Sequence, residues 1–123
     1  MILPLLLAAA SHHACTRPPL TPVLRRTLSP VVQDAAHRPV RPGDIGKVID
    51  GGRWRLAWAT PAKADRGVFF LHRDGASGWR FVDVWGGSIT PDERRDTAAW
   101  ARKRGRDFPP ALAKCFVDAL LTG

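Results

Sequence analysis

Hydrophobic and polar residues alternate along the middle of the chain, between about residue 45 and residue 87. On an extended strand, Trp54, Leu56 and Trp58 lie on one face and the residues between them on the other. Glycine-rich turns, such as the one at residues 50–52, separate this run from its neighbours. The pattern predicts an antiparallel meander of four strands, at residues 45–50, 53–60, 68–73 and 79–85.

The turns also predict how these strands pair. Centring each hairpin on its turn gives three rows of neighbouring side chains: Trp54, Arg73 and Trp79; Leu56, Leu71 and Phe81; and Trp58, Phe69 and Asp83. One face is then nearly all aromatic and aliphatic, and it has to be buried. The other, which we call the mixed face, combines apolar residues, Phe70 among them, with four polar ones: Arg53, Arg55, His72 and Arg80. Its apolar end needs a cover, for which the arm before the sheet, a helix and a second subunit are the alternatives.

Two helices are predicted after the sheet. Thr90, Pro91 and Glu93 supply a cap, a proline at the first helical position and the partner of a capping box, so the first helix begins here and runs to about Arg104. The second helix begins near Pro109 and carries one apolar stripe. The predicted fold is therefore of the α+β class: a four-stranded antiparallel β-meander packed on one face by two C-terminal helices and preceded by a Pro-rich N-terminal arm.

The first 42 residues differ in composition from the rest of the chain. Residues 1–10 form an apolar run that ends in small residues; it is shorter than the roughly 20 residues that span a membrane but typical of an export signal. We interpret residues 1–14 as a signal peptide of the secretory or lipoprotein type, 15–42 as a Pro-rich tether or packed arm, and 43–123 as one α+β domain. The prolines of the arm leave room for one short helix, from Pro30 to about Ala36 with Ser29 as its cap.

The chain has two cysteines, Cys15 and Cys115. The leader resembles that of a bacterial lipoprotein, with Cys15 as the acylated residue, although His12 stands where such leaders usually have a leucine. In an oxidising compartment Cys15 can instead pair with Cys115. Both alternatives predict a periplasmic or cell-envelope protein, including an outer-membrane lipoprotein. Because a structural zinc site needs about four ligands and no phosphate-binding glycine loop occurs, the sequence predicts neither a metal nor a cofactor.

The net charge of +8 and the isoelectric point near 11.0 make polyanions candidate binding partners. Lysine occurs at only four of the 19 basic positions, however, so arginine supplies nearly all of the charge. Arginine, alanine, glycine and proline share GC-rich codons, and this composition favours scattered surface arginines over one dedicated patch. The sequence therefore does not favour nucleic acid as the partner.

Three polar residues of the predicted sheet are candidates for chemistry. Asp83 falls on the aromatic face, where burial disfavours its ionised form and makes it a candidate general acid. Arg73 falls between two indoles, an arrangement that stabilises a sheet or binds a ligand carboxylate. His72 falls opposite Arg80, whose charge is expected to hinder its protonation.

No catalytic signature accompanies these residues, so we predict a non-catalytic exported domain that binds a protein or an anionic envelope polymer. The candidate binding residues are Arg53, Arg55, His72, Arg73, Arg80, Arg102 and Arg104. One alternative is a hydrolase-like enzyme that uses Asp83 in a pocket floored by Trp58 and Trp85. Another, if the leader is retained, is a cytosolic nucleic-acid-binding module. A membrane contact is expected only through a lipid anchor at Cys15, and a dimer through the apolar part of the mixed face is left open.

Overall fold

A computed structural model of the protein describes residues 15–76 and 78–123, and the predicted leader lies outside these ranges. The helices are α1 (Pro22–Ala36), α2 (Arg94–Arg102) and α3 (Pro110–Thr122), with short 3-10 turns at Pro42–Asp44 and Pro91–Glu93. The strands are β1 (Ile45–Gly51), β2 (Trp54–Ala59), β3 (Gly67–Arg73) and β4 (Trp79–Gly86). None of the helices in these ranges combines the length and the hydropathy that crossing a bilayer requires.

The four strands form one antiparallel sheet in the order β1-β2-β3-β4, so the predicted meander and the α+β class are confirmed. Gly52 has a φ of 57° in the turn between β1 and β2, a conformation that glycine adopts without steric cost. The cap of Thr90 and the capping box with Glu93 are present, although they open a 3-10 turn that leads into α2. The turn and capping residues therefore predicted the positions of the four strands and of the two C-terminal helices.

The predicted pairing of β2 with β3 is wrong by one residue. Trp54 lies opposite His72 and Leu56 lies opposite Phe70, not opposite Arg73 and Leu71. Side chains alternate along a strand, so this shift turns Phe70 and His72 towards the aromatic face. The prediction that His72 and Arg80 lie on the mixed face is therefore wrong, and that face carries Trp79 and Phe81 instead. Centring the hairpin failed because its connection is a long loop, which does not fix a register as a two-residue turn does.

A bulge in β4 produces a second departure. The pairing of Arg73 with Trp79 and of Leu71 with Phe81 is as predicted, but the register shifts between Phe70 and Leu71. Beyond the bulge, Asp83 lies opposite Phe70 and not opposite Phe69. The extra residue of the bulge turns all later β4 side chains to the opposite face of the sheet. It therefore cancels the effect of the one-residue error in the predicted pairing of β2 with β3. Asp83 thus remains on the predicted face with different neighbours.

The aromatic face packs against α2 and α3, as predicted. Phe70 is fully buried at its centre, with its ring centroid 5.3 Å from that of Trp100 and 5.1 Å from that of Phe116. Trp54 and Trp58 are also buried, and Phe108 closes the cluster between the two helices. Most of the tryptophan-rich stretch is therefore core.

The mixed face is covered by the arm, whose main element is α1. Leu28 and Val32 of α1 are fully buried against β-strand side chains, among them Phe69 and Leu71. The predicted short helix from Pro30 is wrong, because α1 begins at Pro22 under a Thr21 cap and continues through Pro30. An interior proline costs about 3 kcal/mol, and burying two aliphatic side chains at roughly 1.5–3 kcal/mol each offsets that cost.

The arm is joined to the rest of the fold at two further points. The backbone of Thr16 exchanges two hydrogen bonds with that of Asp50, at 2.7 and 2.8 Å, and so pairs with the outer side of β1. Cys15 and Cys115 form a disulfide that links the arm to α3 across 100 residues. Of the alternatives for residues 15–42, the structure has the packed arm, and of those for Cys15 it has the disulfide.

Candidate functional site

The sheet has one edge that α1 and the arm leave open. β4 is the last strand, and in the described part of the chain no strand pairs with its outer side. On the face towards α1, Trp79 and Phe81 are only partly buried and Val84 is 41% exposed. We call these three side chains the β4 row. They contrast with β3, where five consecutive residues are buried.

An open groove of about 1200 Å³ runs between β4 and the carboxyl-terminal half of α1. Its floor includes Trp79 and Phe81, and its wall comes from α1 and the turn after it: Pro30, Val31, Asp34, Ala35, Arg38 and Pro39. A continuation of about 480 Å³ lies beside Val84 and shares Ala35 and Arg38 with the first part. Together they form a trough along β4, which we call the β4 groove.

The backbone amides of β4 differ in whether they are available to hydrogen-bond to a second chain. The Asp83 side chain accepts a hydrogen bond from the Val84 amide at 2.7 Å, so that part of the strand already has a partner. The stretch from Trp79 to Val82 is therefore the better place for a second backbone to approach.

Arginines surround Trp79 at one end of the β4 groove. The guanidinium carbons of Arg55 and Arg73 lie 4.5 and 5.4 Å from its ring centroid. The prediction that Arg73 lies between Trp54 and Trp79 is wrong, because Trp54 projects from the opposite face. Arg55 is neutralised by Asp50, to which it donates two hydrogen bonds at 2.7 and 2.8 Å.

The other predicted binding arginines divide into two groups. Arg53 donates to the Gly75 carbonyl at 3.2 Å, and like Arg73 and Arg102 it has no acidic partner in the described ranges. Arg80 and Arg104 are paired with Asp74 and Asp83. With Arg55, three of the six predicted arginines thus have their charge balanced locally, which weakens the case for a polyanion patch.

The same end of the sheet carries a hydrogen-bonded cluster, which we call the clasp. It consists of His72, Asp74, Arg80, Asp107 and the Trp54 indole. The Nδ1 of His72 lies 2.6 Å from Asp74 Oδ1 and its Nε2 lies 2.8 Å from Asp107 Oδ2. Asp74 also accepts a hydrogen bond from Arg80 at 2.5 Å, and Asp107 accepts one from the Trp54 indole at 2.9 Å. The clasp ties β3 to the turn before α3 and holds Arg80 at the rim of the β4 groove.

The turn that carries Asp107 reaches the clasp because Gly105 has no side chain. A Cβ atom there would lie 2.4 Å from Cζ2 of Trp54, closer than such contacts occur. Asp107 is the residue that sequence reasoning missed, since it lies 35 positions from His72 in a turn. Its only local signal is the Gly105-Arg106-Asp107 sequence of a turn between two helices.

The clasp changes the expected protonation of His72. Its hydrogen bond with Asp107, together with Asp74, raises the pKa of His72 above its ordinary 6.5. In return, the pKa of Asp107 is lowered by His72, and that of Asp74 falls to about 2, first through Arg80 and then through His72. The prediction that Arg80 hinders protonation is wrong, because Asp74 lies between the two cations.

This geometry does not suit catalysis by His72. Both ring nitrogens are directed at carboxylates, so the ring has no free lone pair with which to accept a proton from a substrate or bind a metal. Within residues 15–76 and 78–123, no group of three histidine, cysteine or acidic side chains is placed to hold a metal ion. The clasp therefore orients Arg80 and stabilises the contact between β3 and the turn before α3.

Asp83 has a structural partner on the aromatic face. It forms an ion pair with Arg104, whose guanidinium carbon lies 4.1 Å from the Trp100 ring centroid. Its side chain is 36% exposed, and it does not line the β4 groove or its continuation. Asp83 also does not line the cavity between Trp58 and Trp85, which the hydrolase-like alternative requires.

We expect the clasp to make stability depend on pH. The raised pKa of His72 means that its contribution is fully present below pH 6.5 and is lost as the pH rises through the pKa of the folded state. The lowered pKa of Asp74 means that its contribution is present above pH 3.8 and is lost as the pH falls towards 2. At pH 6, His72→Gln should cost about 1 kcal/mol, the size of a partly exposed charge-assisted hydrogen bond.

Thermal unfolding followed from pH 5 to 9 checks this expectation. The wild type should lose stability above about pH 6.5, and the gap between it and His72→Gln should narrow as the pH rises. His37→Asn is the matched control, because His37 is exposed and asparagine tolerates its left-handed backbone, with φ of 56°. If the difference in stability between the wild type and His72→Gln is the same at every pH, His72 contributes through packing and not through ion pairs with Asp74 and Asp107.

Comparisons of this chain with protein-family models, with curated proteins and with solved structures give no match. The site is therefore interpreted from its own geometry and charge.

Proposed function

We propose that this protein is a non-catalytic exported domain whose β4 groove binds an extended, acidic segment of a partner protein. The observation that carries the proposal is the β4 row: three large apolar side chains left partly exposed beside an unpaired strand edge. An extended peptide can add to such an edge through backbone hydrogen bonds and place alternate side chains in the groove.

The contrast between the two edges of the sheet supports this choice. The outer side of β1 is already paired with Thr16 near its end. Open apolar edges are a liability that proteins usually cover, so an exposed apolar row at an open edge favours a binding role. The groove is long and shallow, and this shape suits an extended chain better than a compact ligand.

The charges around the groove favour an acidic segment. Arg73 lies over Trp79 at one end of the groove without an acidic partner in the described ranges, and Arg38 stands in its wall together with one acidic residue, Asp34. The net charge of +8 attracts an acidic partner over a longer range and speeds its association.

Two features support export. Residues 1–10 have the composition of a signal peptide. The Cys15–Cys115 disulfide is of a kind that persists in oxidising compartments such as the periplasm and is rare in the cytosol.

The groove can be tested with a displayed library of random peptides selected against the full chain. We expect enriched sequences that alternate apolar residues and carry aspartate or glutamate at one end. Val84→Lys should weaken binding of the selected peptide at least about tenfold, or 1.4 kcal/mol, and Arg73→Glu should weaken it by a similar factor.

Val23→Lys is the matched control for Val84→Lys. Val23 is also an exposed valine, at 63%, but it lies at the start of α1 and does not line the groove. Equal binding by the two lysine variants would contradict the proposal, as would enrichment of basic peptides. Salt-dependent binding to duplex DNA that survives Val84→Lys would indicate the nucleic-acid alternative instead.

A further inference from the structure

A second pocket lies on the aromatic face, at the end of the sheet away from the clasp. It has a volume of about 210 Å³ and is lined by two indoles, Trp58 and Trp85, by Leu120 of α3, by Ser88 and by Arg66. The Trp85 indole nitrogen donates to the Gly87 carbonyl at 3.0 Å, so this ring presents a mainly apolar surface. We call this cavity the indole pocket.

One cation, Arg66, lines the indole pocket, and a second, Lys47, lies over the ring of its Trp58 wall. Lys47 Nζ lies 5.2 Å from the centroid of the Trp58 ring. Burial, and then the nearby charges of Arg66 and Arg17, lower the pKa of Lys47 below its ordinary 10.5. None of these three cations has an acidic partner in the described part of the chain. The clasp at the other end of the sheet differs in that each of its cations has a carboxylate.

Like charges held together without a counter-charge repel one another, and a bound anion relieves that repulsion. A lysine over an indole and an arginine at the mouth are also the groups that recognise a carboxylate. The pocket holds the equivalent of roughly seven water molecules, so its ligand has about ten non-hydrogen atoms or fewer. Its two indole walls favour a flat or aliphatic group over a wholly polar ion.

We propose that the indole pocket binds a small organic carboxylate, with its apolar part against Trp58 and Trp85 and its carboxylate towards Arg66 and Lys47. This site lies on the opposite face of the sheet from the β4 row. It does not depend on the function proposed for the β4 groove, although Arg66 borders both cavities.

The test uses benzoate, phenylacetate and hexanoate as probes, with benzamide as the neutral counterpart of benzoate. Calorimetry and amide chemical shifts of the full chain should show at least one carboxylate binding with a Kd of about 1 mM or tighter. Benzamide should bind at least about tenfold more weakly than benzoate, and shifts should concentrate at the Trp58 and Trp85 indoles.

Two variants address different parts of the indole pocket. Lys47→Gln should weaken carboxylate binding about tenfold and leave benzamide unchanged, whereas Leu120→Trp should fill the cavity and abolish binding of both. Lys103→Gln is the matched control, because Lys103 is exposed and remote from the pocket. No binding of any carboxylate up to about tenfold above that Kd would overturn the proposal. Equal affinity for benzoate and benzamide, or an equal loss in Lys103→Gln, would also overturn it.

Discussion

Replacing Phe70 with alanine is expected to lower the free energy of unfolding by about 3–5 kcal/mol. Phe70 is fully buried, and its ring contacts Trp100 of α2, Phe116 of α3 and Phe108 between them. Truncation would leave a cavity where the sheet meets both helices, and aromatic neighbours on three sides cannot all collapse into it. Urea unfolding followed by far-ultraviolet circular dichroism measures the loss.

Phe81→Ala is the control for this experiment. Phe81 lies on the mixed face, is only partly buried and has one aromatic neighbour, Phe69, at 6.1 Å. Its loss should cost clearly less than that of Phe70 and leave the packing of α2 and α3 intact. Equal costs for the two variants would show that Phe70 is not the centre of the aromatic core.

Removal of the disulfide, by reduction or by changing both cysteines to serine, is expected to cost about 2–5 kcal/mol. The bond joins positions 100 residues apart, so it restricts the unfolded chain over most of its length. It also fixes Thr16 beside β1, and its loss should expose the arm near Arg17 to proteolysis. Thermal unfolding with and without reductant gives the change in stability.

The double serine variant serves as the control, because reductant should lower the melting temperature of the wild type and leave that variant unchanged. In the unfolded wild type without reductant, iodoacetamide should modify neither cysteine. Alkylation of both cysteines, or equal stability with and without reductant, would contradict the disulfide as part of the native structure.

Local signals predicted the elements of the fold better than their pairing. The turn at residues 50–52, the Thr90 cap and Gly105 each specify a chain reversal or a helix end through their own backbone preferences. The register of β2 on β3 follows from which side chains fill the aromatic core, and a long loop carries no such information. The β4 bulge is also a tertiary feature without a local sequence signal.

Helix α1 of the arm is another case in which tertiary packing, and not a local signal, determined the structure. Pro30 argues locally against a helix that continues through it, and yet α1 does. The decisive fact is the apolar stripe of Leu24, Leu28 and Val32, which has a sheet face to cover. The expectation of a cover on the mixed face was correct, and the covering element was within the segment interpreted as a tether or packed arm.

The candidate site could be predicted only in part. Arg80 opposite His72 followed from the register of β3 and β4 and is confirmed. The carboxylates that decide the charge of His72 come from a turn beside it and from Asp107, whose position depends on how α2 and α3 pack. The openness of the β4 groove likewise depends on how far α1 extends over the sheet.

The central claim is that an extended segment binds along β4, and hydrogen–deuterium exchange of the full chain with and without the selected peptide tests it most directly. Binding should slow exchange of the backbone amides from Trp79 to Val82 and leave those of Ile45–Gly51 unchanged. Unchanged exchange throughout β4, or protection confined to the indole pocket, would contradict the account.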